Sequence, residues 1–305
     1  GSGVRATNIS ANSQEASVDV TVRLANDATR AAKAGIKVSL VDREGRQVAV
    51  AALQAALGAV QKTELATRLN VSAPHLWQGT ADPYLYNLVV EISDAKGKVT
   101  DVFRQPFGIR TMAFNPEQGF LLNGQPYRLN GVGYHQDRDG KGWAISRADV
   151  EEDVATIREM GANSIRLTHY QHGQDIHDIA DRTGIVLWDE IPLVSAWTLG
   201  GKLEVDPALV ANARQQLEEL VRQNQNHAAT AIWSIANEVD FGNSFAIFLT
   251  GNKGGKVPDP LPPLRELNGW AKQLDPSRPT ALATCCEGRL FASDVSIPTT
   301  AVAAD

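Results

Sequence analysis

The chain has 305 residues, 21% of them charged, and a formal net charge of −6. That length accommodates two domains with a substantial core, and the acidic balance argues against nucleic acid as the main partner. No stretch reads as a transmembrane span or a signal peptide, so no membrane partner is expected. The opening Gly1-Ser2-Gly3 reads as a tag remnant and leaves the compartment open between cytoplasm and periplasm. The only two cysteines, Cys285 and Cys286, are adjacent. They read as a buried reduced pair, since neighbouring cysteines seldom bridge and no CxxC spacing suggests a metal.

Residues 4–112 carry a β pattern throughout. Val18, Val20, Val22 and Leu24 alternate with polar residues, as do Ile36, Val38 and Leu40, and Tyr86, Leu88, Val90 and Ile92 form another strand. Alternation of this kind marks half-buried strands. The turns Asp42-Arg-Glu-Gly45 and Asp94-Ala-Lys-Gly97 separate them. Several short strands with regular turns predict an immunoglobulin-like β-sandwich, held by packing without a disulfide.

From residue 113 to 305 the period changes. A hairpin turning at Asn123-Gly124 comes first,. Strands then alternate with helices. Ser146 and Asp149 form a capping-box start to a helix that Gly161 ends. Ser164-Ile-Arg-Leu167 is a strand, Ile176 and Ile179 mark a helix, and Ile185-Val-Leu-Trp188 is a strand running into Asp189-Glu190. Asp206-Pro207 caps a helix bearing Leu217, Leu220 and Val221. A fourth strand, Ala231 to Glu238, ends abruptly in an amide and a carboxylic acid. A helix with Leu264, Leu267, Ala271 and Leu274 leads to a fifth strand at Thr280. Repeated βα units predict a parallel sheet. About five strands fit before Asp305, so the expectation is an incomplete (β/α)8 barrel, since a closed one takes about 250 residues. A doubly wound open sheet is the alternative, but Gly131-Val-Gly133 lacks the glycine spacing of a phosphate loop.

In a parallel barrel every strand ends on one face, so candidates can be gathered by strand end. These are Tyr134-His-Gln-Asp137, Thr168 to His172, Asp189-Glu190, Asn237-Glu238 and Cys285-Cys-Glu287. A carboxyl group at the end of a buried strand is half-desolvated, the setting a general acid needs near neutral pH. So many imidazoles, amides and carboxylates suit a polyhydroxylated ligand, with Trp143, Trp188, Trp197 and Trp233 as apolar platforms for it. His172 and His177 read as helix-surface or loop residues, and His75 and His227 as structural. A zinc site at His135 and His169 is conceivable but has no helical His-x-x-x-His spacing behind it.

Taken together these motifs resemble glycoside hydrolase family 2, and its β-galactosidases most. In the first half the resemblance rests on Pro74-His-Leu-Trp77, Asp82-Pro-Tyr-Leu-Tyr86 and Phe107-Gly-Ile-Arg110. In the second it rests on Gly131 to Asp137 with Gly140-Lys-Gly142, Gly161 to Tyr170, Trp188-Asp-Glu-Ile-Pro192 and Trp233 to Glu238. The resemblance implies retaining hydrolysis of terminal β-D-galactosides. Glu238 would be the acid/base, Asn237 the partner of the sugar 2-hydroxyl, His135 and His169 sugar contacts, and Asp137 a weaker one. It also implies a nucleophile from a later strand, beyond Asp305, and a preceding jelly-roll domain that this chain lacks. Glu287 is the substitute nucleophile within the chain. Val194 and Ala196 occupy positions where relatives ligate magnesium and cannot do so, so neither metal nor cofactor is expected. β-Glucuronidase and β-mannosidase share these early motifs. The chain is therefore expected to be inactive or weakly active alone, to bind a β-galactoside or related sugar, and to form homo-oligomers through the exposed edges of its partial barrel. The rival reading is a non-catalytic carbohydrate-binding or self-assembling fragment.

Overall fold

A computed structural model describes residues 3–194, 205–239, 261–284 and 295–298. The chain forms two compact units. One comprises Gly1–Arg128 with His177–Ile185 and Asn224–Ala229, and the other Leu129–Ile176, Val186–Gln223 and Thr230–Asp305.

The first unit contains the immunoglobulin-like sandwich. Strands β1 (Val4–Ala11), β2 (Glu15–Asn26) and β5 (Gln61–Ser72) make one antiparallel sheet. Strands β3 (Ala32–Val41), β4 (Gln47–Leu57), β6 (Tyr86–Ser93) and β7 (Val99–Phe107) make the other, in the order β4-β3-β6-β7. Successive side chains point to opposite faces, so Val18, Val20 and Val22 of β2 enter the core with Val38, Leu40, Leu69, Leu88 and Val90. Both expected turns share one device. Asp42 Oδ1 accepts from the amides of Glu44 and Arg46, and Asp94 Oδ1 from those of Lys96 and Lys98. Gly45 and Gly97 then take the left-handed conformation that closes each turn,.

Strands β8 (Met112–Asn115), β9 (Gly119–Leu122) and β10 (Gln125–Pro126) form a small antiparallel sheet. Its β9–β10 hairpin turns at Asn123 (φ 52°) and Gly124 (φ 75°), the two positive φ values of a type I′ turn. The two later segments of this unit are tied in by buried polar contacts. Trp77 Nε1 donates to the Asp181 carbonyl (2.9 Å) and Arg110 Nε to that of Ala228 (2.9 Å). The Asn226 side chain pairs with the backbone of Val4 and Ala6.

The second unit is built on a six-stranded parallel sheet, with strands β11 (Gly131–Tyr134), β12 (Ser164–Leu167), β13 (Val186–Glu190), β14 (Thr230–Asn237), β15 (Thr280–Thr284) and β16 (Val295–Pro298). Their spatial order is their chain order. A doubly wound sheet reverses its order at a switch point, and this one does not, so it is a partial barrel. The sixth strand, β16, extends the sheet beyond the five legible in the sequence.

Helix α1 (Arg147–Glu159) starts at the expected capping box of Ser146 and Asp149. Helices α2 (Gln174–Thr183), α3 (Pro207–Asn224) and α4 (Leu261–Leu274) follow. Asp206 Oδ1 accepts from the Ala208 amide at the α3 start. Leu217, Leu220 and Val221 of α3 and Leu264, Leu267 and Ala271 of α4 pack with Trp233 and Ile235 of β14. Every residue of β14 is buried, as expected for a parallel strand covered on both faces. This burial makes its polar C-terminal end conspicuous.

Candidate active site

Strands β12, β13 and β14 bring three polar side chains together. On β12, Ile165 and Leu167 are buried and Arg166 between them faces the other side of the sheet,. Its guanidinium grips Glu190, at the end of β13. Nε donates to Oε2 at 3.0 Å, and Nη2 lies 2.9 Å from each oxygen. Glu190 is 0% exposed, and a charge so buried requires such a partner. Ser234 Oγ donates to Glu190 Oε2 at 2.7 Å, and His169 Nδ1 lies 3.1 Å from Oε1.

Arg166 Nη2 also donates to Asn237 Oδ1 at 2.6 Å. That bond fixes the orientation of the amide: its oxygen faces the cation and its NH2 faces away. The Asn237 backbone amide donates to the Leu193 carbonyl (2.9 Å). Glu238 follows immediately. It is half-buried, takes φ 51°, and anchors its own amide on the Ala283 carbonyl (2.9 Å). Non-glycine residues seldom adopt the left-handed region, and where they do the strain often accompanies function. Here the left-handed turn breaks the pleat of β14 right after Asn237, so the amide and the acid leave the strand on different trajectories.

The β11–α1 loop supplies His135. Its ring meets the His169 ring edge-on, with centroids 5.3 Å apart. Tyr170 sits beside them, its hydroxyl 3.5 Å from His135 Nδ1 and accepting from the Gln136 amide at 2.9 Å. Burial pushes the Tyr170 phenol above its ordinary pKa, and the charge of Asp137 adds to the effect. Asp137 itself is exposed, and its amide donates to the His135 carbonyl. The loop is pinned by Asp149, whose carboxylate accepts from Lys141 Nζ, Arg138 Nη1 and the Ser146 amide. The bonds from Lys141 and Ser146 hold that carboxyl well below the usual carboxylate range.

His135, His169, Asn237 and Glu238 thus stand at the ends of β11, β12 and β14, on the rim where the sequence placed them. Glu287, Trp197 and the two cysteines lie outside the described residues. Two expectations are corrected. Trp233 is no rim platform: it is fully buried, with Nε1 bonded to Asp275 Oδ2 (3.0 Å). His177 is neither on a helix surface nor in a loop, because it is buried in α2 beside His227. His172 lies in a loop, as expected, and is buried there under the Tyr170 ring.

The residue that sequence reasoning passed over is Arg166, which joins Glu190 to Asn237. Its signal was a lone cation between the two apolar residues of a four-residue strand, Ile165 and Leu167. Among the described residues no group of three or more His, Cys, Asp or Glu is arranged to hold a metal ion.

The comparisons with known proteins place the chain in a family. Residues 115–296 match the family described as "Glycosyl hydrolases family 2, TIM barrel domain", and residues 4–110 match "Glycosyl hydrolases family 2". The chain belongs to glycoside hydrolase family 2. A β-glucuronidase of Bacteroides fragilis is 36% identical over 91% of this chain and 38% of its own length. A β-galactosidase of Bacteroides ovatus is 30% identical over 78% of this chain and 28% of its own. Among solved structures, a family 2 member from Bacteroides cellulosilyticus superposes with a TM-score of 0.80 at 27% identity, covering 96% of this chain and 38% of the other. A Parabacteroides merdae β-glucuronidase gives 0.76 at 26% identity, covering 97% and 36%. The chain therefore spans well under half the length of these family 2 relatives.

Proposed function

We propose that this chain carries the acid/base half of a retaining β-glycosidase site, with Glu238 as the acid/base. The observation that supports this reading is the Asn237–Glu238 pair at the end of a wholly buried strand, with Asn237 oriented by Arg166. Glu238 would protonate the glycosidic oxygen as the bond to the sugar breaks, then take a proton from water in the second step. Asn237 would offer its amide NH2 to the sugar 2-hydroxyl, and His135 and His169 would bind further hydroxyls, with Asp137 at the margin. Retention needs a second carboxylate about 5–5.5 Å from the first. Glu190 does not suit that role, because Arg166 and Ser234 occupy both of its oxygens. We infer that the nucleophile comes from outside the described residues. Glu287 is the substitute should this chain turn over alone.

For the sugar we propose a terminal β-D-galactoside. Among the described residues, the rim cations Arg166, Arg138 and Lys141 are each paired with a carboxylate of the chain itself. That leaves a surface suited to a neutral sugar. The second reading is a β-D-glucuronide, favoured by the name of the 36%-identical relative. Parallel assays of 4-nitrophenyl β-D-galactoside and β-D-glucuronide on the full-length protein separate the two. The galactoside reading expects the higher kcat/KM on the galactoside and a β-configured first product by NMR. A preference for the glucuronide replaces it with the second reading, and an α-configured product rules out retention. This chain alone is expected to bind sugar with little turnover. It is also expected to self-associate, because β11 and β16 each pair with a single neighbour among the described residues, and open strand edges recruit partners. Light scattering that stays monomeric up to near-millimolar concentration would rule that out.

A further inference from the structure

Of the tryptophans expected at the rim, the described ones fall into three environments. Trp233 is core, Trp188 lies under the Arg166 guanidinium (5.2 Å), and Trp143 is 63% exposed. An exposed indole is ordinarily unremarked. This one differs in what lies beneath it.

Trp143 stacks on Tyr170, with ring centroids 4.5 Å apart and planes 29° from parallel. Tyr170 stacks in turn on His172, at 4.8 Å and 12°, and His172 is buried. Three rings from two loops thus form one column, rooted in the interior and ending in an indole. Both loops are fixed. The Asp149 bonds to Arg138 and Lys141 hold the segment that carries Trp143. Gln136 ties this loop to the next, its amide donating to the Tyr170 hydroxyl and its Oε1 accepting from the Gly173 amide. The column also touches the candidate site. Tyr170 is 6.0 Å from the His135 ring, which meets His169.

We propose that Trp143 is a specificity-determining platform for the leaving group, and that the enzyme favours β-glycosides whose aglycone carries an aromatic ring. This inference rests on the glycosidase reading of Glu238. One face of the indole is covered by Tyr170 and the rest of the ring is open, so a flat ring can complete the stack. Offset ring stacking adds affinity beyond simple area burial. A platform already held by its neighbours loses little side-chain freedom on binding.

The test uses the full-length enzyme and two substrates whose leaving alcohols have nearly the same acidity, the 2-phenylethyl and ethyl β-glycosides. A difference between them reads contact with the ring rather than leaving-group chemistry. Trp143→Ala should lower the ratio of their kcat/KM values about tenfold, and Trp143→Phe should restore most of it. An unchanged ratio, whether both substrates fall together or neither falls, overturns the proposal.

If the wild-type enzyme turns over neither the galactoside nor the glucuronide series, the glycosidase reading fails, and Trp143 is judged by binding. 2-Phenylethyl and ethyl thio-β-galactosides are then titrated by calorimetry. Tighter binding of the phenyl compound that Trp143→Ala abolishes sustains the platform. Equal binding of the two, or a preference that survives Trp143→Ala, removes it.

Discussion

The two sheets systems of this chain treat charge in opposite ways. In the sandwich, ion pairs lie across antiparallel strands on the solvent face. Arg23 opposes Glu64, Asp19 opposes Arg68, and Lys37 opposes Glu91, each pair in direct register. In the parallel sheet the central strands β13 and β14 are buried on both faces, and among the described residues the ion pairs there sit inside closed networks. Glu190 on β13 is held by Arg166, and Asp275, in the α4–β15 loop against Trp233 of β14, is held by Arg278. An alternating strand has a wet face where a charge costs little. A strand buried on both faces has none, so a charge there must be matched or carry a function. Glu238, at the end of β14, is the proposed functional one, and the strongest test of the contrast begins there.

Glu238→Gln keeps the shape of the side chain and removes its proton. General acid–base catalysis typically contributes about 10²–10⁴-fold. The full-length variant should lose that much kcat/KM on alkyl β-galactosides, which need protonation of the leaving oxygen. It should lose far less on 2,4-dinitrophenyl galactoside, whose leaving group departs unaided. Equal retention of activity on both substrates would remove Glu238 from the role.

Arg166→Met tests the buried network. It keeps an apolar stem of similar reach but leaves Glu190 uncompensated in the interior. Breaking one side of a buried pair costs about 3–5 kcal/mol, read as a lower urea midpoint. Adding Glu190→Leu should recover much of that loss. A single variant costing under about 1 kcal/mol would mean that water or a neighbour satisfies Glu190, and the contrast with the sandwich would collapse.

How much of this was legible beforehand follows the same division. The sandwich strands could be read because alternation is written into Val18, Val20 and Val22. The hairpin could be read because Asn123-Gly124 admits two positive φ values. Strand ends were legible too, since a parallel sheet collects them on one rim, and that alone placed His135, His169, Asn237 and Glu238. The pairing of Arg166 with Glu190 was not. It joins residues 24 apart in sequence, and nothing local shows which cation reaches which carboxylate. The burial of His172 and Trp233 was hidden for a related reason. Trp233 bonds a carboxylate brought in from another element, Asp275, and His172 is covered by the Tyr170 ring of its own loop, a stacking that spacing alone does not show.

Asp275 gives a pH-dependent form of the test. Burial pushes its carboxyl up. The Arg278 charge and hydrogen bonds from Ser277, Arg278 and Trp233 outweigh this and bring it down to about 2. A carboxyl whose folded pKa lies below its unfolded value stabilises the fold above the unfolded value, near 4, and loses that contribution as pH falls towards 2. The difference corresponds to roughly 2 kcal/mol at neutral pH. Asp275→Asn should therefore destabilise the protein at pH 7 by an amount of that order. It should also flatten the loss of stability between about pH 4 and pH 2, measured by urea titration across that range. A variant with the same acid slope as the wild type would place the titration elsewhere.

The smallest expected effect is the control that gives the others meaning. Arg23 and Glu64 face each other across β2 and β5 at 2.7 Å, yet each side chain is about half exposed (51% and 54%). Water already solvates both groups, and pairing them fixes two flexible side chains. The coupling energy from a double-mutant cycle, Arg23→Ala with Glu64→Ala, should therefore fall below about 1 kcal/mol and shrink further in added salt. A shorter contact does not imply a stronger one here, since Arg166 grips Glu190 at 2.9 Å and is expected to matter several times more. If the Arg23–Glu64 coupling matched that of the buried pair, exposure would not be the variable that separates the two sheets. The cost of losing Arg166 would then have to be sought in its bond to Asn237 instead.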